Sequence, residues 1–201
     1  MPDINFCEQL PNVYTQAAVY DLKNNKLLLI LVNLLCLGLT LLSGFVVYFI
    51  KFGFNSFYTV CRYESVNNII SAMLLLAIGA IVYIVLHELA HGVAYKLITR
   101  RKLSFGISAT YAYCGVPDIF VTRKTALIAV FTPLVLFSVV FLVPLFFING
   151  IFAFVIALLF ALHFGGCSGD MFIGAVLLFK YRDRELLFND TGPKQTIYLK
   201  Q

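Results

Sequence analysis

Four long apolar stretches dominate the chain: Leu27 to Ile50, Ile69 to Ile98, Ala126 to Ile148 and Ile151 to Phe179. Each is long enough for an α-helix, rising about 1.5 Å per residue, to cross a hydrocarbon core of about 30 Å, so four membrane-spanning helices are predicted. Pro133 and Pro144 fall within the third stretch, where membrane helices tolerate proline at the cost of a bend. Asn149-Gly150 is so short a connection that the third and fourth spans should form an antiparallel hairpin. A different period occupies the loop between the second and third spans. There Leu103, Phe105, Ile107, Ala109, Tyr111 and Tyr113 alternate with Ser104, Gly106, Ser108, Thr110, Ala112 and Cys114, the period of two that marks a strand. Gly115-Val116-Pro117-Asp118 offers a turn, and Ile119 to Thr122 a returning strand. The expected fold is an all-α membrane protein: four transmembrane helices with a short cytoplasmic β-strand or hairpin between the second and third.

Composition agrees with the pattern. Of 201 residues, 61% are hydrophobic and only 12% charged, against about 25% charged in soluble domains. A globule of this size cannot hide so much apolar surface, so a lipid bilayer is the implied partner. The balance of 15 Lys+Arg against 10 Asp+Glu does not call for nucleic acid, because basic residues concentrate in the cytoplasmic loops of membrane proteins. Arg100, Arg101, Lys102, Arg123 and Lys124 oppose only Asp118 between spans two and three, and Lys180, Arg182 and Arg184 follow span four. The expected protein is therefore a multi-pass protein of the cell membrane with both termini cytoplasmic and spans two and four running parallel. Residues 1–26, which carry Asp3, Glu8 and Asp21, are expected to be a cytoplasmic segment rather than a cleavable signal. Residues 27–180 form the four-helix domain and 181–201 a cytoplasmic tail. Cys7, Cys36, Cys61, Cys114 and Cys167 show no CxxC spacing, so neither a disulfide framework nor a zinc finger is implied.

Ionisable groups inside spans are costly unless paired, which makes them functional suspects. The suspects are His87, Glu88, His91, His163 and Asp170; Lys96 lies near a span end and can snorkel to the interface. His87-Glu88-Leu89-Ala90-His91 is an HExxH motif. Four residues apart on a helix, the two imidazoles lie about 40° apart around the axis and about 6 Å apart along it, so both can reach one Zn²⁺. Glu88, about 100° round from His87, is placed to act as a general base on water at the metal.

A catalytic zinc commonly takes three protein ligands and keeps one open position. The fourth span offers His163, Cys167 and Asp170 for the third. With Arg100 and Lys180 marking the inner surface, His91 lies roughly 13 Å deep and His87 roughly 20 Å, while Asp170 falls between them at roughly 15 Å. Cys167 and His163 come out at roughly 20 and 25 Å. Depth favours Asp170 as third ligand, with His163 still open. His163 and Cys167 also suit supporting positions beside the ligands, or a buried polar contact and ordinary packing.

HExxH in one membrane helix with an Asp from a later helix resembles the site-2 protease class of intramembrane zinc metallopeptidases. A closer likeness is to a small bacterial family of membrane zincin peptidases. It rests on HELAHG at 87–92, Phe105-Gly106-Ile107, Thr132-Pro133 and GCSGD at 166–170, and spans roughly 70–180. The Ser168-Gly169-Asp170-Met171 context departs from the Leu-Asp-Gly usual in site-2 proteases. The resemblance implies His87, His91 and Asp170 as zinc ligands and Glu88 as catalytic base. The expected activity is hydrolysis of peptide bonds in membrane-embedded or hydrophobic peptide substrates by a zinc-activated water. Phe105 and Ile107 lie on the strand that would hold the substrate by strand addition. The rival expectation is a metal-ion transporter or metal-binding membrane sensor without proteolysis.

Overall fold

A computed structural model describes residues 5–54, 62, 64–108 and 111–201; Asp3, Cys61, Ala109 and Thr110, which figure in the expectations above, lie outside the described residues. Four helical segments among them are long and apolar enough to cross a membrane. They are α1 (Lys26–Phe52), α2 (Val66–Thr99), α3 (Arg123–Leu145) and the run Gly150–Lys180. The last is built from α4 (Gly150–Gly166), α5 (Ser168–Ala175) and a π-helical turn (Val176–Lys180). Each coincides with an expected apolar stretch, the third lying slightly toward the N-terminus of its own. Leu41, Ile81 and Val135 are exposed on α1, α2 and α3, an arrangement that water penalises and lipid does not.

The chain divides into two compact units. One comprises Asn33–Val85 and Leu134–Ser168. Its helices pack through small residues: a Cβ on Gly44 would stand 3.2 Å from Ala161 Cβ, and one on Gly79 would stand 3.1 Å from Leu159 Cδ1. Close backbone approach of this kind substitutes for the hydrophobic drive that lipid cannot supply.

The other unit comprises Met1–Val32, Leu86–Pro133 and Gly169–Gln201, and it corrects the all-α expectation. Segments expected to be cytoplasmic tails supply four strands of a five-stranded antiparallel sheet, ordered β1-β5-β6-β7-β2. These strands are β1 (Phe6–Cys7), β2 (Tyr14–Asp21), β5 (Phe120–Thr122), β6 (Leu186–Asp190) and β7 (Lys194–Lys200). Gly192, at φ 95°, makes the β6–β7 turn in a conformation that residues with a Cβ avoid. Val121, Phe188 and Ile197 are fully buried in one core with Tyr95 of α2, Ala129 of α3 and Leu177 of the π turn. Each such aliphatic or aromatic side chain contributes about 1.5–3 kcal/mol on burial, which is why the sheet holds to the helix ends.

The loop after α2 is also corrected. The strand expected to run on to Tyr113 is a hairpin of β3 (Ser104–Ile107) and β4 (Ala112–Gly115), paired Ser104 with Gly115 and Ile107 with Ala112. Ser108 and Tyr111 join the two strands, the Tyr111 N–H donating to Ser108 Oγ at 3.2 Å and the Ser108 N–H to the Tyr111 carbonyl at 2.8 Å. A side chain that competes for backbone groups turns the strand, and period two alone cannot separate one long strand from two short ones. The segment expected to return along this hairpin, Ile119 to Thr122, supplies β5 instead, which pairs with β1 and β6.

Candidate metal centre

Every part of the candidate centre belongs to the sheet-bearing unit. His87 and His91 occupy successive turns of α2, both 7% exposed, with ring centroids 5.0 Å apart and planes at 82°. Asp170 enters from the first turn of α5. The Cys167 N–H donates back to the His163 carbonyl at 3.0 Å where α4 ends, and α5 begins at Ser168. A carboxylate in a first helical turn also meets the positive end of the helix dipole. Its two oxygens divide between the imidazoles: Oδ2 lies 3.2 Å from His87 Nε2 and Oδ1 lies 3.2 Å from His91 Nε2.

Hydrogen bonding orients one of the two imidazoles. His91 Nδ1 is 2.8 Å from the Ala129 carbonyl of α3. A carbonyl only accepts, so Nδ1 carries a proton, and this hydrogen bond turns Nε2 toward Asp170. Asp170 Oδ2, although buried, accepts no hydrogen bond.

The donor set fits zinc. Two imidazole nitrogens and a carboxylate oxygen lie within 4.8 Å of one another. Two donors about 2.05 Å from a tetrahedral ion stand about 3.3 Å apart, close to the separations seen. Glu88 is half-buried on the same helix, within Coulombic range of both histidines.

The hairpin packs directly on this part of α2. A Cβ on Gly92 would meet Phe105 Cζ at 2.8 Å, Leu103 Cδ1 at 3.1 Å and Cys114 Sγ at 3.3 Å, so only a glycine admits the hairpin this closely. Burial pushes the Cys114 thiol up to about 12, which leaves it an un-ionised packing group. Phe105 and Ile107 remain largely exposed on β3.

His163 and Cys167 lie in the other unit. His163 is fully buried there, with Nδ1 3.1 Å from Tyr83 Oη and Nε2 3.2 Å from Ser138 Oγ, and Cys167 Sγ lies 3.7 Å from Nδ1.

Two residues near the centre have no counterpart among the expected ones. Tyr95, one turn beyond His91, donates to Asp190 Oδ2 at 2.8 Å, and Asp190 Oδ1 accepts from the Gly192 N–H at 2.9 Å. The Asp190 carbonyl accepts from Val116 N–H at 2.7 Å. Asp190 thus ties together the HExxH helix, the hairpin's exit and the β6–β7 turn. Burial pushes its carboxyl up to about 6, against the hydrogen bonds from Gly192 and Tyr95. Tyr95 stands at i+8 and i+4 from the two histidines and shares their face, so helical spacing contained that signal; nothing in the sequence marks Asp190.

A family model described as "Putative zincin peptidase" matches residues 80–185. The chain belongs to this zincin peptidase family. Membership supports metallopeptidase activity with zinc as cofactor. In this zincin peptidase the matched residues hold the HExxH motif, the β3–β4 hairpin, Thr132-Pro133 and Asp170, while β1, β2, β6, β7 and α1 fall outside them. No curated protein and no solved structure matches the chain.

Proposed function

We propose that this zincin peptidase works within the cell membrane, with both termini cytoplasmic, as an endopeptidase on membrane-embedded or hydrophobic peptide substrates. The observation that carries the reading is the convergence of His87 Nε2, His91 Nε2 and the Asp170 oxygens beside Glu88 on helices apolar enough to cross a bilayer. The three side chains are the zinc ligands in this reading. Zinc, when bound, supplies a Lewis acid that activates water and polarises the scissile carbonyl. Glu88 takes the proton from the attacking water and delivers it to the leaving amine as the C–N bond breaks. A half-buried carboxylate one residue along from a ligand reaches the reacting water without occupying a ligand position.

Substrate binding is assigned to β3. Among the described residues β3 pairs only with β4, so its other edge offers backbone groups to an extended peptide, with Phe105 and Ile107 beside it. Strand addition requires an unwound segment, which links this edge to the site-2 protease resemblance. The test is cleavage of a membrane-embedded peptide by purified protein in liposomes. Glu88→Gln should lower kcat by at least about 10²-fold with zinc still bound. Undiminished cleavage would overturn the assignment of the base, and transbilayer zinc flux that persists in Glu88→Gln, without cleavage by wild type, would favour a transporter.

A further inference from the structure

Pro133 lies in the interior of α3 (Arg123–Leu145) and is fully buried. In a regular helix the carbonyl of residue i accepts from the N–H of residue i+4. Four residues before Pro133 stands Ala129, so the group that would ordinarily occupy the Ala129 carbonyl has no N–H to give. A proline ring in a helix interior also crowds the carbonyl four residues before it. The Ala129 carbonyl is the acceptor of the His91 Nδ1–H at 2.8 Å. The neighbouring Ile128 carbonyl shows the contrasting arrangement, for it takes the Thr132 hydroxyl of its own helix at 2.6 Å.

We infer that Pro133 is a positioning residue for the metal centre: by lacking an N–H it releases the Ala129 carbonyl to hold His91, which presents Nε2 toward Asp170. The gap left in a buried helix is filled by a group from a second helix, as membrane helices require of freed backbone groups. The donated hydrogen bond sets the tautomer and ring direction of a ligand, a role whose loss ordinarily weakens metal binding 10- to 100-fold. Proline here is a chemical requirement of the centre as well as a bend.

This inference rests on the zinc-centre reading, and the test separates the two. Zinc affinity of purified full-length protein is measured by competition with a chromogenic chelator. The samples are wild type, Pro133→Ala and a chain carrying lactic acid at position 133. The alanine variant restores the N–H, whereas the lactic acid chain has a backbone ester there and, like proline, no donor. Pro133→Ala should bind zinc about 10- to 100-fold more weakly, and the ester chain should stay within about threefold of wild type. Equal weakening in both would assign the effect to loss of the ring, and unchanged affinity in Pro133→Ala would show that the carbonyl needs no release; either overturns the inference. Should Pro133→Ala not fold, the ester chain decides alone, wild-type affinity supporting the inference and a tenfold loss overturning it. Failure of wild type itself to bind zinc would instead remove the centre on which the inference stands.

Discussion

Asp170 and Asp190 are acids of one unit, the first half-buried and the second buried, and their surroundings differ. Asp170 meets two imidazoles and holds an oxygen with no hydrogen bond. Asp190 is satisfied by Tyr95 and Gly192, and its carboxyl titrates near 6 rather than at its ordinary 3.8. Because the folded chain holds that proton more tightly than the unfolded one, this group's contribution to stability is full below about pH 4 and is lost as pH rises through about 6. Asp190→Asn should therefore flatten the fall in stability between those values, and chemical denaturation in detergent micelles at pH 4, 5, 6 and 7 checks it. An equal slope in wild type and variant would contradict the assignment. Of the two acids only Asp170 was legible in the sequence. A carboxylate in a long apolar run is conspicuous, and helical rise placed it at the depth of the histidines, whereas Asp190 sits in a polar segment among other polar residues.

At the scale of elements, Gly92 sets how near the hairpin lies to the HExxH helix. Gly92→Ala forces Phe105 to give way, since its ring tip already stands 2.8 Å from the added carbon. Phe105 is 47% exposed and can swing outward, so the fold should survive with a loss of about 1 kcal/mol. Peptide KM should rise severalfold with kcat nearly unchanged if β3 carries substrate; steady-state kinetics on one peptide reads both, and an unaltered KM would remove β3 from substrate binding. The helices were legible because an uncharged run long enough to cross a bilayer has few other readings. The sheet was not. β2 pairs with β7 across nearly the full chain, Tyr14 opposite Lys200, and β1 and β5 are two and three residues long, too short for a period to show. The β6–β7 hairpin did leave a trace in Thr191-Gly192-Pro193, a turn flanked by runs rich in Leu, Phe, Ile and Tyr.

For the molecule as a whole, the family-matched residues include the parts that build the candidate centre, and the outlying strands complete the core of the same unit through Phe188 and Ile197. Asp190, which lies outside the matched residues, reaches the HExxH helix through Tyr95, so the β6 strand is tied to that helix. The proposed zinc site is His87, His91 and Asp170 without Glu88. It is tested most directly by zinc per chain, measured by mass spectrometry of metals on chains purified without chelator. About one zinc is expected in wild type and in Glu88→Gln, and under about a tenth of that in His87→Ala, His91→Ala and Asp170→Ala. Full zinc in Asp170→Ala, or its loss in Glu88→Gln, would contradict it.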